Sequence, residues 1–189
     1  KHYNNAGICI SDSQAISLSF NEWLIKATFH NEYELVVQLI DSDDFDEAII
    51  EYIRKKHNVL IGERTAEEIK IKIGSAMSYD GEGAMDVRGR DLLNGLPRNV
   101  EITSEDVREA LSEPIAQILA AVRSTLEKTP PELLADIVDN GIMLTGGGAL
   151  LREMDKLISK ETKIPVHVAV DPMDCVAAGM GVCLEKGNI

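Results

Sequence analysis

Apolar residues recur along this chain with two periods, and the switches between them lay out its elements. In residues 14–20, Ile16, Leu18 and Phe20 alternate with Ala15, Ser17 and Ser19, the period-two pattern of a half-buried strand. Residues 23–29 and 33–40 are also strand-like, set off by the short breaks Asn21-Glu22 and His30-Asn31. Short turns between β-rich runs predict an antiparallel meander. The period then lengthens. Phe45, Ala48, Ile49, Tyr52 and Ile53 share one helical face, which predicts a helix over residues 45–57. The acidic cluster Asp41-Ser42-Asp43-Asp44 lies just before it. It lacks the spacing and the glycine of a calcium loop. Carboxylates at a helix start cap free N–H groups and match the dipole, and that reading is preferred. His57 falls at the helix's C-terminal end, which suits a cation.

Gly62 breaks the pattern. Thr65 then predicts the cap of a second helix, with Glu68 in the capping-box position and a stop at Gly74. Residues 75–103 have turn and strand character, with turns at Asp80-Gly81, Asn94-Gly95 and Leu96-Pro97 and a strand pair over 84–88 and 99–103. A helix begins at Thr103-Ser104-Glu105-Asp106, with Val107, Ala110 and Leu111 facing inward. Pro114 marks a kink or a new start. Ile115, Ile118, Leu119, Val122 and Leu126 continue the apolar face until Pro130-Pro131, which seeds a short helix to Val138. Strands at 142–145 and 165–170 alternate with helices at 149–160 and from Asp171-Pro172 onward. Helix, strand, helix, strand, helix implies parallel strands added to the edge of the first meander.

The segment Ile142-Met143-Leu144-Thr145-Gly146-Gly147-Gly148-Ala149-Leu150-Leu151 carries the clearest candidate chemistry. Glycine accepts positive φ and lets a ligand approach the backbone without meeting a Cβ. A helix starting at about Ala149 would point its free N–H groups back at the turn, an arrangement that suits a phosphate or a nucleoside. The same glycines also make a tight strand-to-helix turn that binds nothing.

Composition narrows the function. Of 189 residues, 44% are hydrophobic, enough for a proper core, and only 4% are aromatic, so aliphatic side chains must fill it. The net charge of −13 argues against nonspecific binding to DNA or RNA and against docking on an anionic membrane. Cys9, Cys175 and Cys183 form no C-x-x-C, so neither a disulfide framework nor a zinc site is indicated. His2, His30, His57 and His167 have no ligand spacing. A reducing, cytoplasmic setting fits. A start at Lys1 without Met leads us to expect a fragment of something longer.

Taken in order, several motifs resemble the actin/Hsp70/sugar-kinase superfamily, and more closely the C-terminal half of the bacterial actin MreB family. They are Phe45-Asp46-Glu47-Ala48-Ile49-Ile50, Ile61-Gly62-Glu63-Arg64-Thr65-Ala66-Glu67-Glu68-Ile69-Lys70, Val87-Arg88-Gly89-Arg90-Asp91-Leu92, Gly95-Leu96-Pro97-Arg98, the triple-glycine turn, and Asp171-Pro172-Met173-Asp174-Cys175-Val176-Ala177. The resemblance covers residues 40–186 strongly and the first forty weakly. It implies an α/β fold: one lobe of an actin-like ATPase (ribonuclease H-like), with a mixed sheet, flanking helices and a smaller inserted α+β subdomain. Residues 1–40 and 104–189 would form subdomain IIA, and residues 41–103 subdomain IIB. ATP with magnesium would sit between two lobes. Glu67 and Lys70 would lie beside its adenosine, and Gly146, Gly147 and Ala149 would line the other side. The resemblance also implies self-assembly into filaments, a membrane-anchored partner of the RodZ type, and work with the cell-wall synthesis machinery in setting cell shape. Membrane association would come through partners or through the first lobe.

One departure bears on the chemistry. Family members carry an Asp-x-Gly-Gly-Gly-Thr phosphate loop between the first two strands of this lobe. Here that place reads Ile16-Ser17-Leu18-Ser19-Phe20-Asn21-Glu22-Trp23. It has no glycine for a phosphate to approach, and Glu22 repels one. ATP hydrolysis by this chain alone is therefore not expected. Two alternatives to a nucleotide-switched filament stay open: a hydrolase or kinase of the same superfamily, and a pseudo-actin scaffold without turnover.

Overall fold

The computed structural model describes residues 25–28, 34–38, 42–175 and 177. In chain order the elements are β1 (Ile25–Thr28), β2 (Glu34–Gln38), α1 (Ser42–His57), β3 (Val59–Leu60), α2 (Glu63–Ile73), β4 (Ala84–Asp91), β5 (Pro97–Thr103), α3 (Ser104–Ala110), α4 (Ser112–Lys128), α5 (Pro131–Asn140), β6 (Ile142–Thr145), a 3-10 turn (Gly147–Leu150), α6 (Met154–Thr162) and β7 (Val166–Val168). The expected strand over 14–20, the loop at 16–23 and the last helix beyond residue 177 lie outside the described residues, as do Cys9 and Cys183. The chain divides into two compact units. One comprises residues 1–40, 118–150 and 155–189, the other residues 41–117 and 151–154.

The first unit is built on a four-stranded sheet in the order β1-β2-β6-β7. β1 and β2 form an antiparallel hairpin, as the meander predicts. β6 then joins β2 in parallel, Leu35 opposite Ile142 and Gln38 opposite Thr145, and β7 joins β6 in parallel. This is the edge addition expected from the helix–strand alternation. Ile142 and Leu144 are fully buried, and Val122, Ile137 and Ile158 are buried with them in the same unit. Gly141, at φ +91°, turns the chain from α5 into β6. A Cβ there would stand 2.8 Å from the Pro165 carbonyl oxygen, so only glycine fits.

The second unit sets helices α1, α2 and α3 against a three-stranded antiparallel sheet, β3-β4-β5. Phe45, Ile49 and Ile53 of α1, Ala66 and Ile69 of α2, Val87, Ile102 and Val107 are all essentially buried. These are the apolar positions that the 3.6 and 2.0 periods select. β3 has no counterpart in the sequence reading, because two residues are too few to show a period. Its place depends on Gly89, whose missing Cβ leaves room for Val59 and Leu60 to lie against β4.

Thr103 closes β5 and caps α3. Its side chain accepts a hydrogen bond from Asp106 N, and Asp106 accepts one in return from Thr103 N, at 2.9 Å. Lys56 of α1 reaches across to the same carboxylate, Nζ to Oδ1 at 2.6 Å, and Tyr52 donates to Glu109 at 2.5 Å. Burial raises the Asp106 pKa, but the Lys56 and Thr103 hydrogen bonds outweigh it and hold the carboxyl at about 2. Burial and the Glu109 contact push the Tyr52 phenol up to about 12. The β4–β5 turn is closed by Asp91, whose Oδ1 accepts from Leu93 N at 2.8 Å, with Gly95 at φ +75°. Pro114 falls in the first turn of α4, so of the two expectations the new start is the one observed.

Three helix starts differ from expectation. α1 begins at Ser42, so Ser42, Asp43 and Asp44 form its first turn instead of preceding it. α2 begins at Glu63, with Gly62 as its extended N-cap and no side-chain cap, so Thr65 is inside the helix. Glu68 consequently makes no capping box and pairs along the helix with Arg64 and Lys72. No α-helix starts at Ala149 either. The chain makes a 3-10 turn there, passes Glu153 at φ +63°, and enters α6 only at Met154. A left-handed residue interrupts an α-helix, so the N-terminal N–H groups of α6 belong to a later turn than the glycines.

Candidate functional site

The expected site residues fall into two groups, one in each unit. Gly146, Gly147 and Ala149 share the turn after β6. Gly146 adopts φ +83° and donates its N–H to the Pro172 carbonyl oxygen at 2.7 Å, tying this turn to the 171–175 segment. Ala149 N closes the turn on Gly146 O at 3.2 Å. The Ala149 side chain is buried, Gly146 is half-buried and Gly147 is exposed. No atom lies within 4 Å of where a Cβ would stand on Gly146 or Gly147. The turn therefore offers open backbone at two consecutive residues, the geometry a flat ligand needs to approach. Close by, Cys175 donates to Asp171 O at 3.2 Å, and burial together with the Asp171 charge pushes its thiol pKa up. It packs as a buried thiol and is poorly suited to act as a nucleophile.

Glu67 and Lys70 lie one turn apart on α2. The plain reading of such a spacing is an exposed i, i+3 pair. Glu67 is exposed, but Lys70 is not. Its Nζ sits 2.9 and 3.0 Å from the two carboxylate oxygens of Asp46 on α1, with side chains only 13% and 10% exposed. Asp46 is the residue that pattern reading missed. The signal was present: Asp46, Ile49 and Ile53 fall on the same side of α1, and a carboxylate placed among buried residues calls for a cation. Lys70 is thus held in one orientation on the second unit, and Glu67, three residues earlier on the same helix, is exposed. Among the described residues there is no group of His, Cys, Asp and Glu arranged to hold a metal.

These two layouts, a parallel extension of a hairpin sheet and a helix-covered three-stranded sheet, define one lobe of an actin-like protein. Solved structures with the same fold include MreB5 of Spiroplasma citri bound to ADP, at TM-score 0.75 and 39% identity, with 79% of this chain and 45% of that chain covered. The double helical filament of MamK shares the fold at TM-score 0.64 and 18% identity, over 75% of this chain and 43% of that one. The profile of the MreB/Mbl protein family matches residues 36–189, and the chain belongs to that family. It is 53% identical over 146 residues to the cell shape-determining protein MreB of Escherichia coli K12, covering 77% of this chain and 42% of the relative. It is 50% identical over 144 residues to the cell shape-determining protein Mbl of Bacillus subtilis 168, covering 76% and 43%. The chain therefore spans less than half the length of these curated relatives.

Proposed function

We propose that this chain is the second lobe of a bacterial actin-like, rod shape-determining protein that assembles into filaments and helps organise cell-wall synthesis. Membership of the MreB/Mbl family across residues 36–189 carries the reading. Residues 1–40 with 104–189, and residues 41–103, are assigned to subdomains IIA and IIB, whereas residues 104–117 and 151–154 cluster with the second compact unit. No helix among the described residues is long and apolar enough to cross a membrane. Contact with the membrane is assigned to a RodZ-type anchored partner or to the first lobe.

Glu67, Lys70, Gly146, Gly147 and Ala149 are assigned to the adenosine of a nucleotide. The open backbone at Gly146 and Gly147 supports this, because it fits a ring laid against the turn. The phosphate end does not fit equally well. The segment Ile16 to Trp23 contains no glycine, so magnesium and the phosphates of ATP would depend on the first lobe. That sequence favours a second reading, a scaffold that polymerises without turnover. Pelleting and electron microscopy of the full-length parent, with and without magnesium-ATP, test both. Ordered polymers that require ATP support the switched filament, and polymers indifferent to ATP support the scaffold. Folded protein that forms none overturns the filament reading. Calorimetric titration of adenosine, ADP and ATP reports separately on the nucleotide site.

A further inference from the structure

The sheet of the second unit keeps one face in solvent, and that face carries charges sorted by sign. Asp86 on β4 stands directly across from Glu101 on β5. Two like charges in a directly opposed cross-strand pair repel each other. The next row on the same face pairs Arg88 with Asn99, and the one after it Arg90 with Pro97. All six residues are exposed. Among the described residues, none of the four charges has an ion-pair partner within 4.0 Å. Elsewhere in the same unit, Lys56, Lys70, Arg98 and Arg108 all close such pairs. Most lysines and arginines of this unit are paired in this way, so two adjacent basic rows without a carboxylate partner within 4.0 Å, beside a like-charged acidic row, stand out.

We propose that this face is a self-complementary docking surface for a second copy of the chain. Consecutive rows on one face are about 7 Å apart. A two-fold axis lying in the contact plane, across the strands between the Asp86 and Arg88 rows, sets Asp86 of each copy against Arg88 of the other. It also sets Glu101 against Asn99, with Arg90 within an arginine's reach. The contact is isologous and closes on itself. Asp86, Arg88, Pro97 and Asn99 line a depression of about 610 Å³ that gives the incoming arginine room. An acidic peptide would answer Arg88 and Arg90 but leave the Asp86–Glu101 repulsion in place, and a bound cation would do the reverse. A second copy answers both at once. Exposed ion pairs are individually weak and screened by salt. The contact is therefore salt-sensitive and works best between copies already held close together. It does not depend on the filament reading, and its test uses this chain alone.

Sedimentation equilibrium at low ionic strength is the experiment. We expect concentration-dependent dimerisation that weakens at least tenfold in high salt. Reversing one sign (D86R with E101R) or the other (R88E with R90E) is expected to abolish it, and an equimolar mixture of the two variants to restore it. The neutral variants, D86N with E101Q and R88Q with R90Q, are each expected to weaken association, and their mixture to recover part of it, because Asp86 of one copy still meets Arg88 of the other; this keeps the test open should a reversal unfold. A wild-type chain that stays monomeric, variants that dimerise unchanged, or folded reversals that fail to recover on mixing each overturn the proposal.

Discussion

Lys70 clasps both carboxylate oxygens of Asp46, fastening α2 to α1 at a point where each side chain is almost out of water. Charges so placed have already lost most of their hydration, and the pairing compensates both. Lys70→Met or Asp46→Asn alone breaks this nearly buried pair and is expected to cost about 3–5 kcal/mol. Changing both to apolar residues together should recover much of that loss. Urea unfolding of the two single variants and the double variant measures it, and additive losses would contradict the pairing.

Asp106 gives a pH prediction with a definite sign. Its carboxyl titrates at about 2 in the folded chain, below the ordinary 3.8. A lowered folded pKa adds stability that is complete above the unfolded value and disappears as the pH falls through the folded one. Lys56, half exposed, is partly screened by solvent, so the contribution is about 1–2 kcal/mol rather than the full shift. The stability gap between wild type and Asp106→Asn should be full at neutral pH and shrink between about pH 4 and pH 2.

The two glycines of the candidate site should behave differently. Gly146→Ala forces an L-residue to φ +83° and is expected to cost about 1–2 kcal/mol. Gly147→Ala meets no neighbour and should leave thermal stability within about 0.5 kcal/mol. If a nucleoside lies against this turn, Gly147→Val should weaken adenosine binding while the melting curve stays nearly unchanged. Equal affinity in both proteins would remove Gly147 from the site.

Gly89 is a packing prediction. A Cβ at that position would lie 2.3 Å from Val59 Cγ1 and 2.6 Å from the Leu60 carbonyl oxygen. Gly89→Ala should push β3 off β4 and cost about 1–3 kcal/mol. Amide exchange at Val59 and Leu60 should rise more than at Val100, which lies on the far side of β4.

The features legible in the sequence were those with a period or a local signature. The apolar face of α1, the strand pair β4–β5 and the parallel placement of β6 and β7 all follow from spacing, and the Thr103–Asp106 cap begins its helix where expected. The Thr65-x-x-Glu68 spacing was misleading because Gly62, already extended, caps α2 three residues earlier. The helix expected at Ala149 gave way to a 3-10 turn because Glu153 takes up a left-handed conformation that no local pattern announces. Of the site, the glycine turn was visible as a motif, whereas the setting of Lys70 was not. Its anchor lies twenty-four residues away on another helix, and only tertiary packing brings the two together.

β5 is an edge strand among the described residues, yet little of its edge is available. The bonds Asp91 N to Leu96 O and Ser104 N to Gly83 O show that its even-numbered residues point their backbone at β4. The odd-numbered residues face outward. Of these, Pro97 has no N–H to give, and the Thr103 N–H is spent on Asp106. That leaves Asn99 and Glu101, too short a run to template another strand. Neighbouring molecules are thereby denied the backbone zipper through which sheets fuse irreversibly. Whatever crowding the chain experiences, its attachments along this sheet must be made by side chains, and contacts made by side chains can be undone.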